Sequence, residues 1–473
     1  MKCAALRIGL AILLIAGGKS FGQQQQTQQS QQSQQQQQLE AQRAEEARRA
    51  AEQQRQQEEA MRQKMLSDIN AATPVPLSRS APKQVTERCL SQAMRSDVRF
   101  DPKEIPLMEW LAQPDTNQIP WKVYVPKPEL RMDQRYELAY AVEVSRKNLK
   151  WSSGPEELRY ISGISDENGK FLVEPKLGGQ VFDVVDKIDR IRFTDCAFLQ
   201  PGNYVLWIAL SDKNSARHNV VRRKIHIPEF SADELPNLLS SSPAAEFPEF
   251  VRNGQRTLPR AGPRFVLPVK NQTSMNVDVI STLSPADQWA GRVDIVRWID
   301  NRVAYAAAAL SQIQPSSGSV STVALDLVNR SIPFQQRDAR QLNWSDLASA
   351  LTLSLEDYKV RLPALEALKQ HGTFLRESIS ERLAMQSSQM RVLIFVSGSL
   401  SFERGSEASP IKLEGDCNCR AYFVRIRITK DDVFDDLEKV IKPLHPKTFD
   451  VLTPRDFRDA LADIIADLGK MGP

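Results

Sequence analysis

Beyond the first hundred residues the apolar period of this chain changes once, near residue 264, and that change fixes most of what it can fold into. Upstream, short apolar runs alternate with polar residues, and turn residues separate them. Downstream, strand-like runs alternate with stretches at helical period. Alternation at period two buries one face of a strand, whereas recurrence at i, i+3, i+4 buries one stripe of a helix. One layer architecture cannot satisfy both halves. The chain therefore reads as multi-domain, a β-sandwich followed by an α/β domain built on a mostly parallel sheet.

The sandwich is expected over residues 106–228. Trp121–Val125 and Tyr136–Val144 alternate, and Asp166-Glu167-Asn168-Gly169 is a hairpin-turn signal ahead of a strand at Lys170–Val173. Near the end, Leu199-Gln200-Pro201-Gly202-Asn203 turns into Tyr204 and the run Val205–Leu210. A Tyr placed just after such a turn resembles the tyrosine corner of immunoglobulin-like sandwiches, where the phenol satisfies a nearby backbone group. Arg222–Ile227 is the expected last strand, stopped by Pro228. Residues 229–263 are rich in Pro, Ser and Asn without periodicity and read as a linker.

Residues 264–473 supply the α/β domain. Strands are expected at Met275–Ile280, Val320–Val328, Arg391–Val396 and Ala421–Ile426. Between and after them come helical stretches. The first is capped by Ser284 and Pro285 and runs to about Ile313; others cover 345–356 and 363–384. A last helix starts at Thr453-Pro454-Arg455-Asp456, shows Phe457, Leu461, Ile464, Ile465 and Leu468 on one face, and stops at Gly469.

The first hundred residues are of another kind. Lys2 and Arg7 precede the apolar run Ile8–Ala16, and Ser20 and Gly22 place small side chains at a cleavage point, so residues 1–22 read as a secretory signal peptide. That run is shorter than the ~20 residues a bilayer span needs. Every later apolar run is broken by charge, so no integral membrane span is expected. Residues 23–38 are nearly all Gln and cannot build a core, which makes disorder the expectation there. Residues 39–70 are charged helix formers with a weak Ala/Met seam. They read as a solvated helix, with a coiled-coil partner or self-association as the alternative. Residues 71–105 carry Pro74, Pro76, Pro82 and Pro102 and read as a linker.

Export brings an oxidising compartment, periplasmic or extracellular. Removing Cys3 with the signal leaves Cys89, Cys196, Cys417 and Cys419, an even number that points to disulfides, with free thiols as the alternative. Cys89 and Cys196 are the two outside the α/β part and are expected to pair. Cys417-Asn418-Cys419 lacks the usual zinc spacing and has no His beside it.

Chemistry in a parallel α/β sheet gathers beyond the carboxyl ends of its strands. There the candidate ligand loops are Ser281, Thr282 and Ser284 after the first strand, and Ser397 and Ser399 after the central one. The Arg391–Val396 strand with its Ser-Gly turn, the Tyr422-Phe423-Val424 strand and the terminal Phe449–Leu461 stretch carry a resemblance. Residues 264–469 resemble a divergent von Willebrand factor type A domain, as in exported acidobacterial proteins. That family's Asp-x-Ser-x-Ser loop, with a later Thr and Asp, holds Mg²⁺. The resemblance implies hydroxyl positions at Thr282 and Ser284, with Ile280 and Gly398 where the carboxylates belong. Divalent cations need charged oxygen ligands, so a degenerate metal site is expected, with no metal and no cofactor.

Other chemistries find little support. The four His lie apart, and His371, before Gly372, is expected at the surface. Ser397-Gly398-Ser399 lacks the hydrolase-elbow pattern, and no Gly-rich phosphate loop is present. Asp431-Asp432 and Asp435-Asp436 read as a helix start and its exposed side. The net charge of +4 is too small to argue for nucleic acid or an anionic membrane. The expectation is an exported, non-enzymatic protein-interaction or adhesion-type protein with a protein partner. The alternative is a secreted α/β enzyme working through the Ser-rich loops.

Overall fold

Strands dominate the chain from residue 116 onward. The computed structural model describes residues 106–471 apart from 107–108, 111–114, 150–155, 183–188, 214, 216, 231–233, 236–237, 240–241, 249, 254–255, 260–264, 271–272, 284–292, 328, 340–341, 354–369, 385–388, 401, 403–408, 414–417 and 429–434. The chain divides into two units, 1–73 and 74–473, and every described residue belongs to the second. The expected signal peptide, Gln tract, charged helix and first linker lie outside the described residues. So do Cys89, Ser284, Pro285, Cys417 and the Asp431-Asp432 pair. Among the described residues no helix is long and apolar enough to cross a membrane.

Ten strands build a two-sheet sandwich. They are β1 (Thr116–Asn117), β2 (Trp121–Tyr124), β3 (Glu129–Leu130), β4 (Tyr136–Ser145), β5 (Glu156–Ser165), β6 (Lys176–Phe182), β7 (Arg190–Leu199), β8 (Gly202–Asp212), β9 (His218–Ile227) and β10 (Ala245–Glu246). One sheet runs β1-β9-β8-β5-β6 and the other β10-β7-β4-β2, with β3 on β4. Alternation explains the packing: Leu138, Tyr140, Val142 and Val144 of β4 meet Leu158, Tyr160 and Ile164 of β5 in one core. The tyrosine corner is present, with Tyr204 Oη donating to Gln200 O at 3.0 Å and to Ala244 O at 3.2 Å.

Two readings of this half need correction. Lys170–Val173 is not a strand, since Phe171 makes only an isolated bridge to Ser165 and β6 starts at Lys176. Pro175 has no N–H for a ladder, which delays pairing until after it. Residues 229–263 are also more than a linker. β10 joins the sandwich through β7, and β11 (Phe250–Asn253) pairs with β12 (Arg256–Pro259). Strands of two to four residues are too short to leave a period in the sequence.

The α/β domain centres on a six-stranded sheet. Its strands are β14 (Met275–Leu283), β16 (Gly318–Asp326), β17 (Ser331–Ala339), β18 (Met390–Gly398), β19 (Cys419–Ile426) and β20 (Lys447–Val451), in the order β17-β16-β14-β18-β19-β20. A small parallel pair, β13 (Leu267–Val269) with β15 (Ile313–Pro315), stands beside it. The helices are α1 (Val293–Leu310), α2 (Trp344–Leu353), α3 (His371–Leu383), α4 (Asp436–Ile441) and α5 (Pro454–Gly469). α3 and α4 cover one face through Leu375, Ile379, Leu437 and Val440 against Ile280, Phe395 and Phe423. α1 and α5 lie on the other, where Ile299 meets Gly398 and Asp467 accepts from Tyr422 Oη at 2.8 Å. The expected helix to Ile313 ends at Leu310, and Ile313 opens β15. Thr453 and Asp456 form a capping box at the start of α5.

The sheet is mixed, with five parallel strands and one antiparallel edge, β17. The sequence hides β17 because it is Ser-Ile-Pro-Phe-Gln-Gln-Arg-Asp-Ala. An edge strand tolerates that Pro and those polar side chains.

The turn between β3 and β4 locks the sandwich to the α/β domain. The Arg131 guanidinium lies over Phe198 of β7 at 4.8 Å and over Tyr305 of α1 at 4.5 Å. Asp133, fully buried, pairs with Arg135 at 2.7 Å and with Arg131 at 3.5 Å. Gln134, at φ 64° in the left-handed region, donates to Pro454 O at 3.1 Å and accepts from Arg458 at 3.4 Å. A buried non-Gly residue held in that region means that its surroundings over-determine it.

Candidate functional site

The chain leaves β14 for β16 on one side and later returns to β18 on the other, so the topological switch point falls between β14 and β18. Register carries Ser281 to Val396 and so sets Thr282 level with Ser397. The two loops singled out in the sequence therefore meet. The Thr282 hydroxyl donates to Ser397 Oγ, and Ser397 Oγ donates to Gly398 O at 2.6 Å. Ser281 turns to the opposite face and donates to Val323 O at 3.0 Å. Ser281, Thr282, Ser397 and Ser399 are all buried, and Ser284 lies outside the described residues.

The two positions where the resemblance puts carboxylates are occupied structurally. Ile280 is packed among Phe395, Leu375 and Ile379. Gly398 faces α1 so closely that a Cβ on it would stand 2.5 Å from Ile299 Cγ2. An acid at 398 would need the Ile299 side chain to give way. An acid at 280 would bury a charge in an apolar layer, which is costly without a partner.

Acids near the strand ends are engaged. Asp326, at the end of β16, accepts from Asn329 N at 3.0 Å and from Asn329 Nδ2 at 2.8 Å, closing the turn to β17. Asp278 pairs with Arg391 at 2.6 Å. Asp435 stands at the helix start as expected but is buried, not exposed. It caps α4 by accepting from Leu437 N at 3.0 Å and Glu438 N at 3.3 Å. Burial pushes its carboxyl well above the usual range, against the pull of Arg425. Asp436 accepts from Phe402 N and fixes the chain after β18. Among the described residues no three His, Cys, Asp or Glu side chains converge as a metal-ligand set.

His371 corrects another expectation. It opens α3 at 1% exposure, edge-on to Phe402 at 6.5 Å. Burial, with Arg330 nearby, pushes its imidazole down to about 4. A His before Gly at a helix start looks solvated in sequence, and only the fold places Phe402 over it. His226 is a strand residue as expected, with Nδ1 2.8 Å from Asn203 Oδ1.

One cleft, of about 540 Å³, lies between β17 and α2 and is lined by Phe334, Gln336, Asn343, Asp346 and Ser349 among others. Its polar groups hold one another, with Asn343 N donating to Gln336 at 2.7 Å and Asn343 Nδ2 to Asp346 at 2.7 Å. β16 and β14 separate it from β18. Cys196 and Cys419 are both disulfide-bonded, and the expected partner of Cys196, Cys89, lies outside the described residues.

No family model matches the chain, and no curated protein matches it. Among solved structures, it is similar to a β-glucuronidase of Bacteroides uniformis at 8% identity and a TM-score of 0.17, over 58% of this chain and 33% of that one. A conjugative transposon lipoprotein from Bacteroides eggerthii matches at 12% identity and a TM-score of 0.14, over 22% of this chain and 96% of that one. A β-glucosidase from Listeria innocua matches at 8% identity and a TM-score of 0.16, over 24% and 16%. Likenesses this slight assign neither a family nor an activity.

Proposed function

We propose that this is an exported, non-enzymatic interaction protein whose α/β domain is von Willebrand factor A-like with a degenerate metal site. The observation that carries the reading is the switch point itself. Hydroxyls at Thr282 and Ser397 are spent on each other and on Gly398 O, while Ile280 and Gly398 stand where carboxylates would be needed. A cation held there would lack the charged oxygens that supply most of its binding energy. A nucleophilic serine needs a base within hydrogen-bond reach, and the Ser397 hydroxyl instead points its proton at a backbone carbonyl. The rigid joint at Arg131 supports a display role, since it fixes how the sandwich presents the α/β domain.

The test uses the full mature chain on intact envelopes, with photo-cross-linking in EDTA and in Mg²⁺. A single saturable protein adduct, equal in both buffers, is the expected result. Ester, phosphoester or glycoside turnover that disappears in Ser397→Ala would establish the enzyme reading instead.

A further inference from the structure

Cys196 stands on the outward face of its sheet, away from the sandwich core. It sits in register with Ala139, and its chain neighbour Asp195 turns inward to Ser162 at 3.3 Å and Lys176 at 2.6 Å. The outward row is Ala139, Ala141 and Cys196, with Tyr124 against it. An outward row on a two-layer sandwich meets water unless something lies over it. Here Ala139 is 5% exposed, and Ala141 and Cys196 are 0% exposed. The joint to the α/β domain covers the neighbouring Phe198 on this face, but the two methyl side chains beside Cys196 cannot shield themselves, and they make the row a shallow trough. Cys196 is also disulfide-bonded, so a second cysteine reaches this trough. Cys419 is not that cysteine, because it packs with the α/β cluster around Phe423, apart from the Cys196 cluster.

We propose that the segment carrying Cys89 docks along the Ala139–Ala141–Cys196 trough and is stapled there by a Cys89–Cys196 bond. This face of the sandwich is then a docking surface for the chain's own N-terminal extension. Chain length favours that occupant. Cys417 is two residues from Cys419, so it stays within about 7 Å of the start of β19. Cys89 precedes residue 106 by 17 positions, a reach of up to ~60 Å when extended, several times the width of a sheet. Oxidation of the two thiols needs a disulfide oxidant of the exported compartment. The incoming disulfide is reduced to two thiols as the Cys89–Cys196 bond forms. The staple thus rests on the export reading for its oxidant.

The experiment refolds the full mature chain in a glutathione redox buffer, which makes the outcome independent of export. Free thiols are alkylated, and the unreduced digest is mapped by mass. A Cys89 peptide joined to a Cys196 peptide is expected. Cys89→Ser, Cys196→Ser and the double variant should then share one lowered melting temperature, because each breaks the same link. Cys196 joined to Cys417, joined to a second chain, or freely alkylated would overturn the proposal. The wild-type map decides the matter even where a variant fails to fold.

Discussion

Arg131→Met removes one of the two guanidiniums that hold the acids of the joint between the domains. The cluster holds Arg131 and Arg135 against Asp133, Glu137 and Glu246. After the substitution Glu137 loses its Arg131 partner and Arg135 alone faces Asp133, which is fully buried. Breaking a buried pair by removing one partner costs about 3–5 kcal/mol. Arg135 stays with Asp133 at 2.7 Å, which argues for the low end. Loss of the cation–π contacts to Phe198 and Tyr305 costs about 2 kcal/mol more when desolvated, and a Met packed on the same rings recovers about 1 kcal/mol. The expected loss is about 4 kcal/mol. It should be read by urea denaturation of the full mature chain at pH 7, followed by fluorescence and by circular dichroism. The wild type should give coincident transitions, and the variant should separate them as the domains uncouple. The pH profile adds a check. Burial raises the Asp133 carboxyl, but Arg135 and Arg131 outweigh it and hold it below its ordinary value. Its stabilising contribution is therefore complete above about pH 4 and is lost as pH falls through the lower folded value. In Arg131→Met that loss should begin at higher pH. A variant within about 1 kcal/mol of wild type, with coincident transitions, would refute the reasoning.

Tyr204→Phe removes the phenol bonds to Gln200 O and Ala244 O and should cost about 1–2 kcal/mol in thermal or urea melts, with no change in secondary structure. His371→Leu should flatten the acid side of the stability profile. The imidazole is held down at about 4 by burial, so its contribution is present above about pH 6.5 and is lost as pH falls toward 4. The wild-type-minus-variant difference should therefore shrink across that window, and a constant difference would contradict it. N-terminal analysis of the exported protein should begin at Gln23, and retention of residues 1–22 would contradict the signal-peptide reading.

Much of the fold is legible because burial imposes period. β4, β14 and β18 are long, covered strands and show themselves directly. So does α5, whose Thr453 and Asp456 announce the capping box. β17 escapes because an edge strand is under no pressure to be apolar, and β10–β12 escape because short strands carry no period. The meeting of Thr282 with Ser397 follows from strand order, which β-α alternation alone does not fix. The burial of His371 and Asp435 does not follow from it, since each depends on a distant element, Phe402 in one case and Arg425 in the other. The Arg131 joint is least visible of all. It needs Phe198 and Tyr305, far away in sequence, to close over the charges of one turn.

The switch point is expected to hold no divalent cation. A cation present at 100 times its Kd would stabilise the native chain by about 2.7 kcal/mol. The full mature chain is the right sample, because Gln134 and Arg458 tie the α/β domain to the sandwich. It should be melted in EDTA and then across a millimolar series of Mg²⁺ or Ca²⁺. One melting temperature is expected throughout. A saturable rise of several degrees, abolished by Thr282→Val, would contradict it.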